Sequence, residues 1–451
     1  MRIKLGIPLT LEEISLATGG LLMGSKKQMI THLVTDSREA AIGDLFFALA
    51  GKTRSGEDFK AEAKRIGAIV ISTTDNNSDI IVPNVSSALL DLASYYLKKL
   101  PLLLYKVAIT GSVGKTTVKE FSRLILKEKY KVHATVGNYN NEIGVPLSIL
   151  TALSDTEVMI IEMGMNHLGE ISILSKCFAP DIAIITNIGT AHIGNLESRE
   201  NIAKAKLEIV DGMQGKNKII VPFDENLLSN VEGRITVSIA EKCADFTLIK
   251  SLSESISVLQ RGVLLCELNF ELKEEHNLIC LALSVALSLL LELSTSQIKL
   301  GVSQISRDNT RQNVVEIGNI YFLTDYYNAS FESDISCINT LLGLTGYSRK
   351  SLLFGDILEL GEASNDIHKK LGSHIFPDEI FNLYLIGSEA EKIAIGAVEN
   401  GFSADRIFFN KDLERPDITA DQIKKNSIDN EIIGMKASRG VKLERVLSCF
   451  D

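Results

Sequence analysis

Proline is scarce in this 451-residue chain, at 8 residues, and there is no low-complexity tract or internal repeat. With 45% hydrophobic and 23% charged residues, the chain carries enough apolar surface to offset the entropy of ordering, which excludes wholesale disorder. It is too long for one hydrophobic core, so two or three domains are expected. Cysteine is sparse as well. Cys177, Cys243, Cys266, Cys280, Cys337 and Cys449 form no C-x-x-C pair, which excludes a zinc ribbon or dense disulfide framework and predicts reduced, mostly buried thiols. The longest uncharged apolar run, Leu278 to Leu291, falls short of the roughly 18 residues a spanning helix needs, so no transmembrane segment is expected and the run reads as a core helix. Glu12 and Glu13 interrupt the apolar stretch after Arg2 and Lys4, leaving no signal-peptide core, and a cytoplasmic protein is expected. Positive charge is in deficit. The 47 Lys and Arg against 57 Asp and Glu give a net charge of -10, which argues against a general polyanion binder and predicts no nucleic-acid partner.

What the chain does contain is an alternation of strand-like and helix-like segments in three blocks. The first, about residues 1 to 100, mixes short strands such as Gly67 to Ser72 with helical runs such as Ser86 to Lys99. The second opens on the apolar strand Tyr105 to Thr110, a glycine-bearing turn, and a helix with Val118, Phe121, Leu124 and Ile125 on its apolar face. Compact apolar strands recur at Val158 to Glu162 and Ile182 to Thr186, which predicts a parallel sheet flanked by helices. The last block, from about Val314 with a boundary near Arg311, alternates strands (Ser351 to Phe354, Leu383 to Ile386) with a helix over Glu389 to Glu399 and reads as a smaller α/β unit.

The sharpest chemical signal is Thr110-Gly111-Ser112-Val113-Gly114-Lys115-Thr116-Thr117 between a strand and a helix. Glycines let backbone N–H groups wrap phosphate oxygens, the helix N-terminus adds its positive end, Lys115 supplies a cation, and Thr116 offers a hydroxyl to Mg2+. Ile109 stands where the full Walker spacing wants glycine, so the loop is a shorter G-x-x-G-K-T-T form. Glu162 ends the next strand, where ligands gather in open α/β sheets, and a hard Mg2+ ion prefers such a carboxylate. On its own a Glu after a strand is more often a solvated loop residue, and its coupling to the phosphate loop reverses that reading.

His192, in Thr186-Asn187-Ile188-Gly189-Thr190-Ala191-His192, belongs to the same carboxyl edge. Lys204 and Lys206 follow on a helix and differ in direction by about 200°, so only one can face the site, and periodicity does not choose between them. The amide-rich run Asn138, Asn140, Asn141, Glu142 fits turn capping as well as a polar ligand. Ser37 and Arg38 after Asp36 fit an Asx turn entering a strand.

Taken together, TGSVGKTTVKE (Thr110 to Glu120), GNYNNEIGVPLSIL (Gly137 to Leu150), EMGMNHLGEI (Glu162 to Ile171) and TNIGTAHIGNLESRENIAKAKLEI (Thr186 to Ile209) resemble the Mur ligase family almost end to end. The resemblance implies an α/β protein of three domains: an N-terminal UDP-sugar-binding domain over residues 1–100, a central parallel-sheet P-loop ATPase domain over 101–312, and a C-terminal Rossmann-like domain over 313–451. It implies a monomeric ATP-dependent ligase joining D-alanyl-D-alanine to UDP-N-acetylmuramoyl-tripeptide through an acyl phosphate. ATP is expected on Gly111, Ser112, Val113, Gly114, Lys115, Thr116 and Thr117, with Asn277 of the His276-Asn277 pair at adenine and Arg311 at phosphate or ribose. Two Mg2+ ions are implied, with Thr116, Glu162 and His192 as metal residues and Lys115, His192 and Lys206 as catalytic ones. Lys206 matches the family's carbamylated lysine, a CO2-derived charge reversal that separates it from Lys204. Ser37 and Arg38 would meet the uridine diphosphate end, and Asn138, Asn140 and Asn141 the sugar peptide.

The chain departs from the family pattern in places. Asp325-Tyr326-Tyr327-Asn328-Ala329-Ser330-Phe331 stands for D-x-Y-N-A-N-P, Lys436-Ala437-Ser438-Arg439 for K-G-S-R, and Glu57 replaces a histidine in Gly56-Glu57-Asp58-Phe59. These departures bear on the amine-substrate pocket. Two rivals stand beside this reading: a sibling ligase acting on another amine or carboxylate, which the asparagine-rich loop and the SVGKTTVKE context disfavour, and a nucleotide-binding scaffold without ligase activity, which the departures favour.

Overall fold

The structure, a computed structural model, describes residues 1–450 apart from 24–25, 52–53, 216, 241–242, 252–254, 273 and 307–311. Three sheets follow one another along the chain. The first has six strands between Arg2 and Ile81, with parallel pairing at its centre and antiparallel partners at both ends. The second has nine strands, parallel from Val132–Ala134 through Phe246–Lys250 and closed at one edge by the antiparallel hairpin Ile256–Gln260 and Val263–Leu268. The third has six, all parallel except its edge strand Asn313–Ile317. The chain is therefore α/β throughout.

The central strands are continuous apolar runs because helices cover both faces of a parallel sheet. Val107, Ala108, Ile109, Ile160, Ile161 and Ile184 have no accessible surface. The Lys115–Leu126 helix buries Val118, Phe121 and Ile125 against the Glu275–Leu290 helix, where Ser122 Oγ donates to Ser284 Oγ at 3.1 Å. That second helix contains most of the long apolar run and is buried along it, consistent with a core role.

No apolar gap separates the first sheet from the second. The Val85–Leu97 helix buries Leu89, Leu92, Ala93 and Tyr96 in a core shared with Val145, Leu147 and Phe178. Tyr96 Oη accepts from the Ile7 backbone at 2.6 Å and donates to the Ala152 carbonyl at 2.7 Å, tying the two sheets through one ring.

Some boundaries differ from the sequence pattern. Gly67 does not begin a strand: at φ 95° it closes the Lys60–Ile66 helix, a left-handed position glycine adopts without strain, and the strand is Ile69–Ser72. The helix expected from Ser86 runs Val85–Leu97, started by Asn84, whose side chain accepts from Ser87 N at 2.9 Å. All six cysteines are free, but only Cys177, Cys280 and Cys337 are buried. Cys243 is exposed, against the expectation of mostly buried thiols. Among the described residues no helix is long and apolar enough to cross a membrane.

Candidate active site

Strand order concentrates the polar residues. Tyr105–Thr110 lies between Val158–Glu162 and Ile182–Ile185, in a register that sets Ile109 beside Glu162 and Thr110 beside Ile185. The phosphate loop, Glu162 and the Thr186 to His192 segment therefore emerge at one carboxyl edge, the position where open parallel sheets bind ligands.

A cleft of about 520 Å³ opens there, and it reaches across to the third sheet. Its wall contains all of Gly111 to Thr117, with Asn140, Asn141, Glu162, His192, Lys206 and Asn277 from the central part and Asp325, Ser330 and Lys436 from the C-terminal part. Lys206 settles the choice periodicity left open, because it is 2% exposed and lines the cleft while Lys204 is exposed.

The loop is tightly constrained. Gly111 takes φ 150°, and a Cβ there would sit 1.8 Å from Thr186 Oγ1, so no side chain fits. Ser112 and Val113 line the cleft, yet their backbone N–H groups donate to Asn187 Oδ1, both at 3.0 Å. Lys115 Nζ donates to the carbonyls of Gly111 at 2.6 Å and Ser112 at 3.3 Å, which keeps the cation over the loop.

Glu162 has no accessible surface. Its Oε2 accepts from Thr116 Oγ1 at 3.0 Å, its Oε1 from Asn140 Nδ2 at 2.9 Å, and its own N–H donates to Thr135 Oγ1. A hydroxyl and a carboxylate facing each other beside a phosphate loop fit Mg2+, which keeps several waters and needs few protein oxygens. Lys119, buried beneath, donates to the Thr135 carbonyl at 2.7 Å and fixes the strand end that carries this arrangement.

Lys206 is fully buried, and no carboxylate lies within ion-pair distance of it among the described residues. Burial, with the Lys115 cation adding repulsion, holds its ammonium well below the usual lysine range. A lowered lysine pKa favours the neutral amine, the form that reacts with CO2.

Asn277 is 1% exposed. Its Nδ2 donates to Glu274 at 3.1 Å, its buried Oδ1 has no partner, and the residue lines the cleft. His192 adopts a left-handed backbone at φ 65°, and its Nδ1 pairs with Glu359 Oε2 at 2.6 Å.

Other expected residues fall elsewhere. Asn141 Oδ1 accepts from Ile143 and Gly144 N–H groups, the turn-capping role, although the residue also borders the cleft. Asn138 is exposed and does not line it. Neither do Ser37, whose hydroxyl donates to Glu62 at 2.9 Å, and Arg38, whose exposed guanidinium pairs with Asp36. Arg311 lies outside the described residues.

Asp325 and Lys436, which the motif comparison left without a role, form a buried group on the far wall. Lys436 Nζ pairs with Asp325 Oδ1 at 3.0 Å, and Gln312 Nε2 donates to Asp325 Oδ2 at 3.1 Å. Asp334 beside them is fully buried, and burial raises its carboxyl to about 8 against the opposing pull of Lys436. Asp325 follows a strand and Lys436 ends one, the same signal that marked Glu162.

Fold and cleft together define an α/β protein whose phosphate loop opens onto a cleft between its central and C-terminal sheets. Residues 109–286 match the Mur ligase middle domain. Over 440 residues the chain is 32% identical to the UDP-N-acetylmuramoyl-tripeptide--D-alanyl-D-alanine ligase of Bacillus subtilis (strain 168), covering 95% of each chain. Among solved structures, MurF from Acinetobacter baumannii superposes with a TM-score of 0.87 at 26% identity over 99% of this chain and 100% of that one. MurF ligase from Thermotoga maritima in complex with ADP gives 0.78 at 29% identity, over 93% and 96%. The chain belongs to the Mur ligase family, and it has that family's three-domain α/β architecture.

Proposed function

We propose that the protein is the ATP-dependent ligase that joins D-alanyl-D-alanine to UDP-N-acetylmuramoyl-tripeptide, forming ADP and phosphate in peptidoglycan precursor synthesis. The observation that carries this reading is the single cleft in which the phosphate loop, Glu162, His192 and Lys206 face Asp325 and Lys436. The near full-length likeness to ligases of that name supports the substrate pair. One chain supplies both walls of the site, which favours action as a monomer, and a cytoplasmic location suits an enzyme consuming ATP.

The tripeptide's terminal carboxylate attacks the γ-phosphorus of ATP, ADP leaves, and the acyl phosphate formed is then attacked by the dipeptide amine with loss of phosphate. Bringing carboxylate and triphosphate together is the main electrostatic obstacle. Lys115 offsets that repulsion, while the helix N-terminus at Lys115 and Thr116 holds the phosphates in line. Thr116 and Glu162 would hold Mg2+, whose charge would further neutralise the phosphates, with His192 at the neighbouring segment. Asn277 fits the adenine amino group. A carbamate on Lys206 would place an anion where a second Mg2+ is expected. Ser37 and Arg38 remain assigned to the uridine diphosphate end and Asn140 to the sugar peptide, by the family resemblance.

Incubation with ATP, Mg2+ and both substrates, read by product mass, tests this function. A product heavier than the tripeptide substrate by one dipeptide less water is expected. Ligation of another amine in preference identifies the sibling ligase, and nucleotide binding without acceptor-dependent ADP release identifies the scaffold.

A further inference from the structure

The Asn187 side chain is unusually well oriented. Two backbone N–H donors, from Ser112 and Val113, converge on its Oδ1 at 3.0 Å, so that atom can only be the amide oxygen. This fixes Nδ2 as the remaining donor. Among the described residues Nδ2 has no acceptor, although Asn187 lines the cleft. The segment cannot swing away, because Thr186 Oγ1 donates to the Val113 carbonyl and the Gly189 N–H donates to Ser112 Oγ at 2.9 Å. The first half of the loop is therefore held by the neighbouring strand end. That accounts for how a loop shorter than the Walker form keeps its shape.

Direction along the loop identifies the partner of Nδ2. Gly114 lies against Cys280, on the helix that carries Asn277, whereas Ser112 lies against Gly189 and so toward His192. With adenine at Asn277, a nucleotide extends its phosphates from Gly114 toward Ser112. We infer that Asn187 is a substrate-contacting residue: its Oδ1 anchors the phosphate loop, and its Nδ2 donates to an oxygen of the terminal phosphoryl group of the triphosphate. The inference rests on the ATP-dependent reading above. A neutral amide donor there follows the phosphoryl group through transfer without adding a cation beside Lys115.

The test compares ADP with adenylyl imidodiphosphate, each with Mg2+, by titration calorimetry on the full chain without acceptor substrates. Asn187→Ala should weaken the imidodiphosphate by about tenfold more than ADP, the scale of one hydrogen bond to a charged group. Asn187→Asp keeps an acceptor for both loop N–H groups, so the loop stays anchored. It should weaken the imidodiphosphate more than Asn187→Ala does and leave ADP closer to the parent. Equal weakening of both nucleotides in both variants, the result of anchoring alone, overturns the inference, as does no weakening. Because no acceptor substrate is used, absence of ligation by the parent protein would defeat the proposed function while this comparison still stood.

Discussion

Thr116 Oγ1 donates to Glu162 Oε2 at 3.0 Å, joining the first turn after the phosphate loop to the end of the adjacent strand. The pair lies 46 residues apart in the chain and becomes one polar unit through strand order alone. Replacing Glu162 with Gln keeps the shape and removes the charge. The variant should require at least about tenfold more Mg2+ for half-maximal ADP release. An unchanged Mg2+ titration would remove Glu162 from the metal site.

Lys115 is the cation held over the loop. Lys115→Ala should lower turnover by two to three orders of magnitude, about the effect of deleting one charge-stabilising donor. A coupled ADP-release assay with both substrates checks this, and near-normal turnover refutes the role.

Lys206 is buried with a depressed pKa, so from its folded value up to about 10.5 the unfolded chain binds a proton that the folded chain does not. Stability attributable to this group therefore rises with pH across that window. Lys206→Met should melt higher than the parent at pH 7 in CO2-depleted buffer while losing at least about a hundredfold in ligation. Parent activity should rise with added bicarbonate. A variant that melts lower but ligates normally contradicts both parts.

Asp334 behaves in the opposite sense. Its carboxyl is raised from 3.8 to about 8, so the folded chain holds a proton the unfolded chain has released, and stability falls as pH climbs through that interval before levelling off. Asp334→Asn should gain a few degrees in melting temperature at pH 8 and less at pH 5.5. Equal shifts at the two pH values would show that Asp334 does not titrate in this range.

Two carboxylates from the C-terminal part grip the central loop. Glu332 accepts from Thr190 N at 2.8 Å and Oγ1 at 3.1 Å, and Glu359 meets His192. Replacing both with Ala should raise the radius of gyration in solution scattering of the ligand-free protein, with nucleotide and substrate reversing the change. An unaltered radius in the double variant would show that these contacts do not hold the cleft closed.

Much of the central sheet was legible because its strands are short, apolar and bounded by turns. Tyr105–Thr110 and Val158–Glu162 in that sheet, and Leu383–Ile386 in the third, fall where the pattern puts them. The phosphate loop was legible because glycine, lysine and threonine at fixed spacing have few other uses. Asp325, Lys436 and Asn187 stood in recognisable motifs without a role of their own, since polar residues at strand ends are common and their importance comes from what lies opposite. Asn141 was ambiguous for the same reason: an amide caps a turn or meets a ligand with the same atoms.

The sequence by itself determined the α/β periodicity, the phosphate loop and the family, because these depend on residues near one another in the chain. Tertiary structure alone decided that Lys206 and not Lys204 turns inward, that Asn187 takes the N–H groups of Ser112 and Val113, and that Lys436 finds Asp325 more than 100 residues away. Those outcomes follow from burial and strand order. Both set local dielectric and hydrogen-bond partners, and neither is encoded by any short stretch of residues.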